Sequence, residues 1–154
     1  MNALRTFVAF VLLAVSSAAL ADFSGRVIAI VDGDTLDVLV DNRPVRVRLA
    51  QIDAPERSQA FGTRSRQALS VLAFKQVATV TGAGPDRYGR QLGTVFVAGL
   101  NVNAEMVSQG MAWAYRQYVT DRSLIELEGQ ARAAHRGLWA DPAPVEPWLY
   151  RRSK

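Results

Sequence analysis

From Arg26 to Leu49 the chain alternates between short apolar runs and turn sequences, a pattern that fits sheet and not helix. Arg26 to Val31 and Thr35 to Val40 are rich in β-branched residues and flank Asp32-Gly33-Asp34, a turn-type sequence. After Asp41-Asn42-Arg43-Pro44, a second turn signal, Val45, Val47 and Leu49 alternate with Arg46 and Arg48. Side chains leave successive strand positions on opposite faces, so the apolar three turn to a core and both arginines share the other face. Three antiparallel strands in a meander are the simplest outcome.

Beyond residue 57 the period changes. Over Ser58 to Lys75, Ala68, Leu69 and Leu72 form one apolar side, with Arg64, Arg66, Gln67 and Lys75 elsewhere, which predicts a helix. Gln76 to Thr81 and Leu92 to Val97 read as two more strands around the loop Gly82 to Arg90. A short helix that Asn103 could cap and Gly110 could stop comes next. A longer helix follows, capped by Asp121, with Leu124, Leu127, Ala131, Ala134 and Leu138 on one face and Gly137 at its end. From Pro142 the prolines of Asp-Pro-Ala-Pro-Val-Glu-Pro-Trp predict an extended surface tail ending in the basic Arg151, Arg152 and Lys154. The expectation is therefore an α+β, mainly β domain at residues 22–141, a five-stranded OB-type barrel with about three helices, and a tail at 142–154.

Residues 1–21 read as a removable signal peptide. A basic start at Arg5, an apolar run from Phe7 to Val15 and the small-x-small sequence Ala19-Leu20-Ala21 are its three parts. The remaining chain is expected to be secreted or periplasmic, with no stable membrane association.

Composition removes several chemistries. With no cysteine and one histidine, His135, the chain has no thiol nucleophile, no disulfide and no thiolate zinc site. Catalysis must rest on carboxylates, arginines, hydroxyls or a hard metal ion. The net charge of +4 makes an anionic partner reasonable. Lys75 and Lys154 are the only lysines, so the basic groups are nearly all arginines, whose planar forks suit phosphate or carboxylate; a GC-rich genome would produce the same bias.

The candidate site lies in three turns. These are Val31-Asp32-Gly33-Asp34-Thr35, Arg48-Leu49-Ala50-Gln51-Ile52-Asp53-Ala54-Pro55-Glu56 and Asp86-Arg87-Tyr88-Gly89-Arg90. Taken singly, the first is also an ordinary turn, the second an Asp-initiated turn before a helix, and the third a solvated basic loop. In combination, their order and spacing resemble the staphylococcal nuclease (thermonuclease) family from about Phe23 to Trp139.

The resemblance implies that Asp34, Asp53 and the carbonyl of Ala54 bind Ca2+, with water completing the shell. It implies that Glu56 is a general base and that Arg48 and Arg90 grip the phosphate. Phosphodiester hydrolysis builds negative charge on the equatorial oxygens, so a cation, forked donors and a base are the groups it needs. Tyr88, Tyr115 and Tyr118 match positions that contact nucleotides, although packing would equally use a tyrosine. Arg46 reads as a solvated residue or an extra phosphate contact, Asp32 as a support for the turn, and His135 and Trp113, Trp139 and Trp148 as surface or packing residues. The connection Glu56 to Gly62 is shorter than the lysine-rich mobile loop of the best-known family member, which bears on how long polymers are held.

The expected function is an exported, monomeric, calcium-dependent nuclease acting on DNA and RNA with little sequence preference and leaving 3′-phosphate ends. Its rivals are a catalytically silent binding module of the same fold and a phosphodiesterase for small nucleotides.

Overall fold

The computed structural model describes residues 22–154; the expected signal peptide at 1–21 lies outside the described residues. Strands β1 (Phe23–Ile30), β2 (Thr35–Val40) and β3 (Arg43–Leu49) form the meander. The turn between β2 and β3 is tighter than the sequence suggests. Val40 already pairs with Arg43, and Asp41 and Asn42 turn the chain alone, both at positive φ (48° and 59°). That is the two-residue geometry matching the twist of a hairpin, and Asn and Asp tolerate it best after glycine.

After the two-residue strand β4 (Ile52–Asp53) and helix α1 (Gly62–Ala73) come β5 (Val77–Pro85) and β6 (Gln91–Val97). The order β3-β2-β1-β5-β6 closes through a parallel pairing of β3 with β6, Val47 to Gln91 and Leu49 to Gly93. This is the five-stranded barrel expected. Val27, Leu36, Val38, Val47, Leu49, Val80 and Val95 fill it without measurable exposure.

Helix α1 begins at Gly62 and not at Ser58, because Glu56 to Phe61 forms consecutive turns: Gln59 N donates to Glu56 O and Gly62 N to Gln59 O. Gly62 is required there, since a Cβ would lie 1.9 Å from the Glu56 carbonyl oxygen. The short strand β7 (Leu100–Asn101) leads into α2 (Val102–Ser108). Its N-cap is Asn101, which accepts from Ala104 N, and Asn103 is inside the helix. Asn103 is instead a buried tie: Oδ1 accepts from Val95 N, and Nδ2 donates to Ala50 O and Gly93 O.

Strand β8 (Trp113–Ala114) pairs with β4, bringing Trp113 beside Asp53. Helix α3 (Arg122–Ala133) is capped by Asp121 as expected, with Ser123 N donating to its side chain. It stops earlier than the apolar spacing implies, because His135, not Gly137, supplies the first left-handed residue (φ 52°) and Leu138 falls in a separate 3-10 turn, Gly137–Ala140. A second apolar cluster of Trp113, Ala131, Leu138 and Trp139 forms there. Under it, the buried Glu128 accepts from Ala114 N and pairs with Arg116 and Arg132.

The tail departs most from expectation. Prolines keep residues 142–146 irregular, but Pro147 is the first residue of a further helix, α4 (Pro147–Arg152), where its missing N–H costs nothing. The fourth helix turns back onto the domain. No helix of the described residues is long and apolar enough to cross a membrane.

Candidate active site

The turn after β1 aims its second carboxylate inward. Asp32 Oδ1 accepts from Asp34 N (3.1 Å), the supporting role expected of it, and Val31 N donates to Thr35 O. Gly33 lets this turn approach α1, since a Cβ would sit 2.7 Å from those of Ala54 and Ser65. Asp34 is then locked on three sides: Oδ1 accepts from Thr35 Oγ1, and Oδ2 accepts from Ala54 N (2.7 Å) and pairs with Arg48 Nη2 (3.3 Å). Burial and the neighbouring Asp34 charge push the Asp32 carboxyl up to about 6.

Arg48 is drawn inward from its strand face. Its Nη1 donates to the carbonyls of Leu49 and Ile52 at 2.8 Å each, and Nη2 donates to Asp53 Oδ1 at 2.9 Å. Only Nε has no protein acceptor among the described residues. One guanidinium thus gathers Asp34 and Asp53. Asp53 is 1% exposed; burial raises its pKa, the hydrogen bond from Arg151 lowers it, and the Asp34 charge raises it, with a net upward shift.

Glu56 sits half-exposed beyond Pro55, its backbone N–H held by Gln59 Oε1. Its carboxylate accepts from Arg151 Nη1 at 2.7 Å.

Arg90 is oriented by Asp86. Asp86 accepts from Tyr88 N, Arg90 N and Arg90 Nε (2.7 Å); desolvation opposes ionisation, but these bonds hold its carboxyl below the usual range. Because Arg90 is held through Nε, Nη1 and Nη2 have no protein acceptor among the described residues. A free fork on a fixed stem is suited to bidentate contact with an anion.

These groups face one cleft of about 860 Å³, whose wall includes Asp34, Arg48, Asp53, Ala54, Glu56 and Arg90. Tyr88, Tyr115 and Tyr118 line it too. Tyr88 is 67% exposed, with the Arg87 and Arg90 guanidinium carbons 4.9 and 5.3 Å from its ring centroid. Tyr115 stacks on Trp148 (5.2 Å, 10°) and meets Tyr118 edge-on (4.8 Å). Trp113 and Trp139 pack together at 4.4 Å, with Arg132 over both. Arg46 stays at the surface, forked onto Asp37 opposite it in β2. His135 lies outside the cleft, its Nδ1 3.4 Å from Trp139 O.

The donor set suits a hard cation. Asp34 and Asp53 offer carboxylate oxygens and Ala54 a carbonyl, with no sulfur or imidazole near, and calcium takes oxygen ligands in flexible arrangements. Among the described residues no group of three or more His, Cys, Asp or Glu side chains forms a metal cluster, so most of the shell would be water.

The sequence placed Asp86 in a candidate turn without a role and Arg151 only in the basic tail, yet both shape the cleft. Asp86 was legible in principle, as an acid four residues before an arginine in one loop. Arg151 gave no local signal beyond the basic tail.

Comparison with known proteins bears on the whole arrangement. A family model of staphylococcal nuclease homologues matches residues 46–141. A micrococcal nuclease of Shigella flexneri is 52% identical, over 98% of this chain and 93% of its own length. The protein ParB of Escherichia coli is 51% identical, over 97% and 90% respectively. An uncharacterized endonuclease of Escherichia coli O157:H7 is 47% identical over 87% and 88%.

Proposed function

Since the chain belongs to the staphylococcal nuclease family, we propose that it is an exported, calcium-dependent endonuclease that hydrolyses DNA and RNA with little sequence preference and leaves 3′-phosphate ends. The observation that carries this reading is the convergence of Asp34, Asp53, Glu56, Arg48 and Arg90 on one cleft, from three separate segments of the chain.

In the reaction, Glu56 takes a proton from a water whose oxygen bonds to phosphorus. The bond from phosphorus to the 5′ oxygen breaks, the 5′ oxygen ends as a hydroxyl with a proton from solvent, and the phosphate stays on the 3′ oxygen. Arg90 presents its two free terminal nitrogens to the phosphate, and Arg48 its Nε. Their hydrogen bonds strengthen as charge grows on the equatorial oxygens, which lowers the barrier instead of merely tightening binding. Asp86 fixes the Arg90 fork, so little reorganisation is needed at the moment of reaction. Asp34, Asp53 and the Ala54 carbonyl would hold calcium, which when bound supplies positive charge to the phosphate oxygens. Tyr88, Tyr115 and Tyr118 offer ring faces and edges to bases, a contact indifferent to sequence. Residues 1–21 direct export and are removed, and the chain acts as a monomer.

The test is cleavage of DNA and RNA by the purified protein with chelator, then with calcium, magnesium or zinc restored, and end-group analysis of the products. Chelation should abolish cleavage, calcium should restore it best, and the fragments should carry 3′-phosphates. Full activity in excess chelator would remove the metal from the mechanism, and 5′-phosphate products would reverse the assignment of the leaving group.

A further inference from the structure

Helix α4 is anchored on both sides of Arg151. Before it, Pro147 is buried, Trp148 stacks on Tyr115, and Gln59 Nε2 donates to Val145 O at 2.6 Å. Around and after it, Tyr150 Oη donates to Ser58 O (3.0 Å) and Lys154 Nζ to Ser58 Oγ (2.7 Å). A segment held this way aims its side chains as an element of the domain would. Arg151 uses that position to meet two acids of the cleft at once. Nη2 donates to Asp53 Oδ2 (2.7 Å), and Nη1 donates to Glu56 Oε1 (2.7 Å) and Asp53 Oδ1 (3.2 Å).

Asp53 Oδ1 is also engaged by Arg48, whereas Oδ2 has Arg151 as its one protein partner among the described residues. A divalent ion ligated by Asp53 would therefore contend with Arg151 for the same oxygen. Asp53 already carries Arg48 on Oδ1 and Arg151 on Oδ2, so a divalent ion would be a third cation on one carboxylate, and repulsion should expel the more exposed guanidinium, that of Arg151. The Arg151 side chain is 40% exposed and lines the cleft, which gives it room to swing away.

We propose that Arg151 is a positioning residue that occupies Asp53 Oδ2 in the metal-free site: it holds Asp53 and Glu56 together and is exchanged for the divalent ion. The proposal rests on the reading of Asp34 and Asp53 as calcium ligands. In the metal-free protein the guanidinium gives the buried Oδ2 of Asp53 a partner that Arg48, on Oδ1, does not supply. When calcium enters, the arginine releases Glu56 as well, freeing that carboxylate to accept a proton.

Calcium binding by calorimetry and thermal unfolding with and without calcium, on the full protein without substrate, test this. Arg151→Gln should bind calcium roughly five- to tenfold more tightly, because no guanidinium has to leave Asp53 Oδ2. It should unfold at a lower temperature than wild type in chelator and show a larger upward shift on adding calcium. Arg151→Lys, which keeps the charge but loses the fork, should tighten binding less, and Arg152→Gln should leave it unchanged. If wild type binds calcium, Asp53→Asn abolishes that binding, and Arg151→Gln binds equally or more weakly, the exchange is refuted while the calcium site stands. If neither wild type nor Arg151→Gln binds calcium, the calcium site itself fails and the exchange with it.

Discussion

Glu56 and the two cleft arginines separate chemistry from mere charge. Glu56→Gln keeps a carbonyl oxygen that can still accept from Arg151, so the fold and the α4 contact should survive while the proton acceptor is lost. Turnover at saturating calcium should fall at least about a hundredfold, the usual scale for a general base; near-normal single-turnover rates would reassign that role. For the arginines the informative change is to lysine, which preserves charge and removes the fork. Arg90→Lys leaves Asp86 without its Nε partner and the phosphate without a bidentate donor. Arg48→Lys gives up the bonds to Leu49 O, Ile52 O and Asp53. Both should lose roughly two to three orders of magnitude in turnover, while Arg64→Lys, at an exposed position of α1, should stay within about twofold. The folded fraction must be checked for Arg48→Lys, since its partners are structural as well as functional. Equal, small losses at all three positions on a short oligonucleotide would mean a diffuse basic field and favour the binding-module reading. Asp34, Arg48, Asp53, Glu56 and Arg90 were legible as residues, because each lies within a short sequence motif whose order can be read along the chain. Their contacts were not. Nothing in Arg-Val-Arg-Leu says that Arg48 folds inward onto two carbonyls while Arg46 stays out on Asp37.

At the scale of elements, β-branched runs between turn sequences, and alternation in β3, located every barrel strand to within a few residues. Boundaries were lost where a tertiary contact decides them. Helix α1 starts late because Gly62 packs on the Glu56 carbonyl, and α3 ends early because His135 takes the left-handed position. Asn101 and Asn103 illustrate the same limit, since both are chemically able to cap a helix and the fold gives the task to the first. Their different duties predict different costs. Asn101→Ala removes one part-buried cap bond and should cost about 1 kcal/mol. Asn103→Ala strips partners from Val95 N, Ala50 O and Gly93 O in the interior and should cost about 2–4 kcal/mol. Urea unfolding of the two variants checks the order. Similar small losses would mean that the interior bonds relax onto other partners. Because Ala50 leads from β3 into the segment carrying Asp53, Asn103→Ala should also weaken calcium binding, whereas Asn101→Ala should not.

The molecule as a whole carries a formal charge of +4, yet its cleft is balanced. Arg46, Arg48, Arg87, Arg90 and Arg151 face Asp32, Asp34, Asp53, Glu56 and Asp86 around one cavity, so these side chains alone provide no excess positive charge for a polyanion. That balance could not be read in sequence, because Arg151 is 98 residues from Asp53 and reaches it only through the docking of α4. A bound divalent ion would tip the cleft positive, and calcium should therefore govern affinity as well as turnover. For a short single-stranded oligonucleotide with linkages resistant to hydrolysis, binding in chelator should be weak and should tighten at least about tenfold with calcium. With Arg87 and Arg90 as the cleft arginines whose terminal nitrogens have no protein acceptor among the described residues, the complex should neutralise only about two phosphates. The logarithm of affinity should then fall with the logarithm of salt at a slope of roughly −1.4, taking about −0.7 per phosphate on a single strand. A fluorescence-anisotropy titration at several salt concentrations measures both quantities. Tight binding in chelator with a slope several times steeper would place the contacts along an extended basic surface outside the cleft. The protein would then hold nucleic acid chiefly as a binding module, and the reacting groups would have to account for turnover without the affinity that calcium was expected to supply.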